Sequence, residues 1–272
     1  MKPGIILDKI MRHKRGEIAR LKQIRPLETV RAEAEQAATL ESPYDLVATL
    51  RAAGVSLIAE VKKASPSKRL LCPDFDAVRL AATYAANGAA VISVLTDDEF
   101  FQGKLEYLTC IRAAIHSSQP ALPLLRKDFI FDPYQVYEAR AAGADALLLI
   151  TALLSSERLA DLLSLTHKLG MNALVEVHNE AELARALEVE PRIVGVNNRN
   201  LKDFTIDLNT FGRLRPLLPR DTLAVAESGV HTAADVRRME EMGADAVLVG
   251  EALVTADDTA AKVRELASGG NQ

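Results

Sequence analysis

The stretch GADALLLIT, residues 143–151, holds the fold in miniature. A glycine leads through two small or polar residues into an unbroken apolar run, which ends on a polar side chain. Glycine suits the left-handed residue that follows a helix C-terminus. An apolar run without alternation suits a parallel strand covered on both faces. The same phrase recurs at Gly88-Ala89-Ala90-Val91, Gly170-Met171-Asn172-Ala173 and Gly243-Ala244-Asp245-Ala246. Gly143 and Gly170 are 27 residues apart, and Gly88 and Gly143 are 55 apart, close to two such units.

Working outward, the pattern predicts eight strands, in VSLIAEVKKAS (55–65), AAVISVLTD (89–97), LPLLRKDFI (122–130), ALLLIT (146–151), NALVEVHN (172–179), RIVGVNNRN (192–200), TLAVAESGV (222–230) and AVLVGEALV (246–254). Helical stretches lie between them. Asp132-Pro133 places a cap before a proline at the first helical position. Asn179 with Glu182, and Thr232 with Asp235, have capping-box spacing. Leu159, Leu162, Leu163 and Leu169 form one helical stripe. Eight such units indicate a (β/α)8 TIM barrel. An open doubly wound sheet also alternates strand and helix. It would show a glycine-rich loop after the first strand and gather its polar groups at one switch point. Here polar groups end every strand. Residues 55–272 are therefore read as the barrel. Residues 1–54 are read as an N-terminal helical extension capping one barrel end, the whole forming a single structural domain.

Composition narrows the partners. Of 272 residues, 49% are apolar and 26% charged, which excludes a disordered chain. A net charge of −4 supplies no global field for nucleic acid or an anionic membrane. The longest uncharged run, Leu80–Thr96, contains Asn87 and Gly88 and is too short and polar to span a bilayer. Cys72 and Cys110 make no disulfide framework, and a reduced cytoplasmic chain is expected. The basic N-terminus has no apolar core or cleavage site and is read as part of the fold. The five histidines are scattered, so no metal cluster is expected. His178 and His231 are read as loop or cap residues.

In a barrel of this type the active site lies at the C-terminal strand ends. The first strand brings Glu60 and Lys62 there, with Ser65 just beyond. Glu60 and Lys62 share a face, roughly 7 Å apart by the strand rise. The third brings Lys127, the fifth Glu176 and the sixth Asn197 and Arg199. The seventh brings Glu227, Ser228 and Gly229, and the eighth Gly250 and Glu251. Any one of these fits a rim ion pair. Together they place charge inside apolar strands at one end, which is costly without partners or a task. Ser228-Gly229 and Gly250 fall where barrels hold a phosphate. Phe101, after the second strand, fits either core packing or an aromatic wall. The set suits proton transfer beside a carbonyl or hydroxyl. A lysine near other cations, with a lowered pKa, would serve as general acid or Schiff-base amine, and a facing carboxylate as base.

The motifs EVKKASPSK (60–68), LTDDEFFQG (95–103), LRKDFI (125–130), LVEVHNE (174–180), GVNNRNL (195–201), AESGV (226–230) and LVGEALV (248–254) resemble the indole-3-glycerol phosphate synthase family of tryptophan biosynthesis. The likeness extends to ILDKIMRHKR near the N-terminus. It implies a cytoplasmic carboxy-lyase without cofactor or metal. Such an enzyme closes the ring of 1-(2-carboxyphenylamino)-1-deoxyribulose 5-phosphate, giving indole-3-glycerol phosphate, carbon dioxide and water. It implies Lys127 as general acid and Glu176 as its acid/base partner. Glu60 and Lys62 would orient substrate and help expel the hydroxyl, with Asn197 and Arg199 as anthranilate-side and hydroxyl contacts. Ser228, Gly229 and Gly250 would cradle the phosphate, with Ser65, Glu227 and Glu251 in support and Phe101 in the ring pocket. A monomer is expected, as is association with other enzymes of the pathway. Two positions depart from the family pattern, Arg69 where a glycine is expected and Lys104 where a small polar residue is expected. Added charge there would steer an anionic substrate, and Arg69 would stiffen its loop. The competing readings are a phosphoribosylanthranilate isomerase-like barrel, a Schiff-base aldolase using Lys127 or Lys62, and a non-catalytic barrel kept as an assembly partner.

Overall fold

The computed structural model describes residues 3–269 apart from 53, 67, 117–121 and 202–203. Ser67 of the EVKKASPSK motif lies outside the described residues, as do residues 1–2 and 270–272 at the expected domain limits. Each of the eight apolar runs holds a strand. They are β1 Ser56–Val61, β2 Val91–Leu95, β3 Leu124–Lys127, β4 Ala146–Ile150, β5 Asn172–Val177, β6 Ile193–Asn197, β7 Leu223–Glu227 and β8 Ala246–Val249. They pair in parallel in chain order, and β8 closes the ring on β1, with Ile58 opposite Leu248. The fold is a (β/α)8 barrel.

Strand parity sorts the apolar residues into two cores. Leu57, Ala59, Val61, Ile92, Val94, Leu147 and Leu149 point outward and pack beneath the helices. Ile58, Val91, Leu125, Leu148, Leu174, Val225 and Leu248 point inward and fill the lumen. Both faces are buried, so the strands read as continuous apolar runs. The four glycines of the recurring phrase all have left-handed φ, between 79° and 106°. The aspartates of the GADA phrases have a second task. Asp145 accepts from the backbone N–H groups of Tyr44 and Leu124, and Asp245 accepts from that of Ala224. Each ties the start of one strand to its neighbour.

The expected caps form. Asp132 and Thr232 each close a capping box, with Gln135 and Asp235. Asn179 caps its helix through the Glu182 N–H, but Glu182 reaches back to the N–H of His178 rather than that of the cap. The N-terminal segment differs more. It comprises α1 Pro3–Ile24, α2 Leu27–Leu40 and α3 Leu46–Leu50, and it touches both barrel ends rather than one. Ile6, Leu7 and Ile10 of α1 line the mouth. Val30 of α2 packs with Ile18 and with Tyr134 of a barrel helix. Leu46 and Leu50 of α3 are fully buried in the lumen cluster and plug its N-terminal end. A pair of leucines four residues apart makes one short helical face, enough for a plug but below the length at which periodicity is read.

Candidate active site

Lumen parity also builds the site. Two residues beyond inward-facing Ile58, Leu125, Leu174, Gly195 and Val225 stand Glu60, Lys127, Glu176, Asn197 and Glu227. One strand step therefore converts the apolar floor into a charged layer. All the residues expected from the sequence line one cavity at this end, from Glu60, Lys62, Ser65 and Phe101 to Gly250 and Glu251.

Lys127 is the centre. Its Nζ lies 2.6 Å from Glu227 Oε2 and 3.1 Å from Glu176 Oε2. Lys62 pairs with Glu60 at 3.2 Å and lies 5.6 Å from the centroid of the Phe101 ring. Phe101 in turn tilts against Phe129. Asn197 Nδ2 donates to Glu176 Oε1 at 3.2 Å, and its own Oδ1 accepts from the Arg199 N–H. Ser65 Oγ accepts from the Lys68 N–H and so shapes the loop after β1. Glu251, at the start of the short helix after β8, pairs with Lys68 from that loop. Ser228 and Gly229 both have left-handed backbone, with φ 65° and 85°. For serine this conformation is costly, and such strain concentrates at functional sites.

The electrostatics correct one expectation. Lys127 sits among carboxylates, not cations. Burial favours its neutral form, but Glu176, Glu227 and Glu60 outweigh burial and raise its pKa. Burial pushes Glu176 up, yet Lys127, His178 and Asn197 prevail and hold it well below the usual carboxylate range. Glu227 is left as the third party. Burial and the charges of Glu176 and Glu60 push it up to about 7 against the pull of Lys127. Its Oε1 has no hydrogen-bond partner among the described residues. Gly195 and Gly250 make room for this crowd, because a methyl group at either would overlap the carboxylate of Glu227 or Glu60.

The raised Glu227 carboxyl has a consequence for stability. A folded pKa above the unfolded value of 4.5 means the fold prefers the neutral form. That contribution is full below pH 4.5 and is lost as pH rises through about 7. Glu227→Gln is expected to flatten this loss. Urea midpoints measured at intervals from pH 4.5 to 7 check it, and a variant that keeps the wild-type slope refutes it.

Of the two loop positions singled out in the sequence, Arg69 occupies left-handed backbone at φ 60°, where glycine is at ease. Lys104 is exposed, and neither residue lines the cavity. His178 was missed as a site residue. It does precede a helix, as a cap residue would, but its Nε2 stands 3.0 Å from Glu176 Oε1. Its spacing from Glu176, two residues on and just past the strand end, was the available signal. Among the described residues no group of three or more His, Cys, Asp or Glu is arranged to hold a metal. No described helix is long and apolar enough to cross a membrane.

Comparison with known proteins joins this geometry to a family. Among solved structures, thiamine phosphate pyrophosphorylase from Pyrococcus furiosus matches with a TM-score of 0.62 at 16% identity, covering 83% of this chain and 97% of that one, a likeness of fold alone. Among curated proteins, indole-3-glycerol phosphate synthase of Roseiflexus sp. (strain RS-1) is 58% identical over 268 residues, 97% of this chain and 98% of the relative. The protein of the same name from Dehalococcoides mccartyi (strain ATCC BAA-2266 / KCTC 15142 / 195) is 54% identical over 265 residues, 96% of this chain and 100% of the relative. The family model described as indole-3-glycerol phosphate synthase matches residues 7–266, which takes in every strand and every residue of the charged layer, and the chain belongs to that family.

Proposed function

We propose that the chain closes the indole ring of 1-(2-carboxyphenylamino)-1-deoxyribulose 5-phosphate, releasing carbon dioxide and water. The observation that carries this reading is the position of Lys127, a buried ammonium between two carboxylates at the floor of a partly apolar cavity. The aryl carbon bearing the carboxylate attacks the ribulose carbonyl, and Lys127 donates a proton to the oxygen. The alkoxide forming there is far more basic than an amine, so transfer runs downhill even from an ammonium with a raised pKa. Loss of carbon dioxide restores the aromatic ring. Glu176, held ionised, takes the proton whose removal completes the double bond as the hydroxyl leaves as water. Lys62 and Glu60 orient the substrate and assist that departure.

Asn197 and Arg199 are assigned to the hydroxyl and anthranilate side. Phe101 forms a wall for the aryl ring, beside Phe129. Ser228, Gly229 and Gly250 are assigned to the phosphate, with Ser65, Glu227 and Glu251 supporting. A phosphorylated small molecule fits this cavity, and cytoplasmic, monomeric operation without cofactor accords with the reading. The buried ion pairs of Lys14 support treating residues 1–54 and the barrel as one domain. A Schiff-base mechanism requires a neutral amine, and the carboxylates around Lys127 favour the ammonium. Purified protein given this substrate alone is expected to produce the fluorescence of an indole. Absence of that signal sinks the proposal, and an adduct trapped by borohydride would favour the aldolase reading.

A further inference from the structure

Glu176 has one neighbour that the proposed reaction does not use. His178 lies two residues further along the chain, just past the end of β5. Its Nε2 is 3.0 Å from Glu176 Oε1, and its Nδ1 is 2.9 Å from Glu182 Oε2. The ring is buried, with a side-chain exposure of 6%, and it does not line the cavity. Glu182 is itself fixed in place. Its Oε2 also accepts from the His178 backbone N–H at 2.9 Å, and its Oε1 accepts from Asn179 Nδ2 at 2.7 Å. An imidazole between two carboxylates has a proton for each nitrogen only as the cation. Burial opposes that charge, but Glu176 and Glu182 together overcome it and push His178 up to about 10.

The charges facing Glu176 come from several elements: Lys127 on β3, Glu227 on β7, and His178 beyond its own strand, with the Asn197 amide on β6. Glu60 on β1 bears on the same lysine. Lys127 holds Glu176 Oε2, while Asn197 donates to Oε1 and the His178 ring lies in ion-pair contact with it. Lys127 cannot remain a full counter-charge once it has given up its proton. We infer that His178, clamped from behind by Glu182, is a positioning residue that keeps the Glu176 carboxylate aimed and counter-charged while Lys127 is engaged with the substrate. The inference rests on the proposed role of Glu176 and adds the pair that supports it.

The test is kcat and KM from pH 5 to 9, by indole fluorescence, for wild type, His178→Gln, Glu182→Gln and the double variant. Thermal unfolding and imidazole 15N spectra accompany the rates. His178→Gln is expected to lower kcat about 10-fold across this range and to leave KM within about twofold. Glu182→Gln should lower kcat by less and likewise spare KM. The double variant should be no worse than His178→Gln alone, since Glu182 acts through the histidine. The wild-type ring should carry both protons at pH 8. If His178→Gln does not fold, Glu182→Gln carries the test, because its residue lies outside the cavity. A loss carried by KM rather than kcat, losses that multiply in the double variant, or a neutral wild-type ring at pH 8 overturns the inference while leaving the synthase reading intact. A wild type that forms no indole overturns both.

Discussion

Lys127→Ala is expected to reduce kcat by about 10²–10⁴-fold, the range supplied by a positioned general acid. The loss should fall on turnover more than on KM, since the phosphate and ring contacts remain. The variant should also show a second, independent signature. Removing the ammonium leaves Glu60, Glu176 and Glu227 facing one another in a buried cavity. Breaking a buried ion pair on one side costs about 3–5 kcal/mol. Here the carboxylates relieve part of that cost by taking up protons. Their folded pKa values rise, so the variant keeps its stability below the ordinary carboxylate range and loses it as pH climbs. Unfolding in urea should therefore show a deficit against wild type that is small near pH 4 and widens toward pH 8. A variant that retains kcat within tenfold would remove Lys127 from the proton-transfer role.

The second large effect is expected outside the charged layer, at Lys14→Met. Lys14 lies on α1, is 1% exposed, and reaches Asp128 at 3.0 Å and Asp97 at 3.4 Å. Burial opposes its charge, but Asp128, Asp97 and Glu17 more than compensate and raise its pKa. Asp128 has further support from Arg126 and Thr96, so Asp97 is the group most exposed to the loss. Methionine keeps the length of the side chain and removes the charge. The expected cost is about 3–5 kcal/mol, or a fall in Tm on the order of 10 °C for a chain of this size. The deficit should shrink on acidification, as the stranded aspartates take up protons. Turnover should fall far less than for Lys127→Ala, although Asp128 is the next residue along. Calorimetry at pH 5 and pH 8 decides it, and equal Tm for both proteins at pH 8 would refute it.

These two lysines mark the boundary of what the sequence discloses. The barrel was legible because its signals are local: a glycine at a helix end, then an unbroken run of Val, Ile and Leu. The strand-end residues were legible because parity on a strand is fixed by the backbone. Glu60, Lys127, Glu176, Asn197 and Glu227 had to point inward if Ile58, Leu125, Leu174, Gly195 and Val225 did. Distances across the lumen are not local. Nothing in the order of residues says that Lys127 meets two carboxylates from β5 and β7, so its pKa was read in the wrong direction. Lys14 needs partners 83 and 114 positions away. The contacts of the His178 ring were illegible for a related reason, since the helix that brings Glu182 back onto it is set by packing. The plug formed by Leu46 and Leu50 offered only two apolar residues.

The route of the N-terminal segment has a consequence for synthesis on the ribosome. Its helices are made first, but the surfaces that receive them are made late. Lys14 waits 114 residues for Asp128, on the order of ten seconds at ordinary elongation rates. Leu46 and Leu50 wait longer, because the lumen they plug is a ring only once β8 has reached β1. Until then the nascent chain carries apolar helix faces and an unpaired strand edge with no place to go. A chain built this way closes late, and its yield in a cell should depend on chaperones that shelter residues 3–50 until β8 has been made.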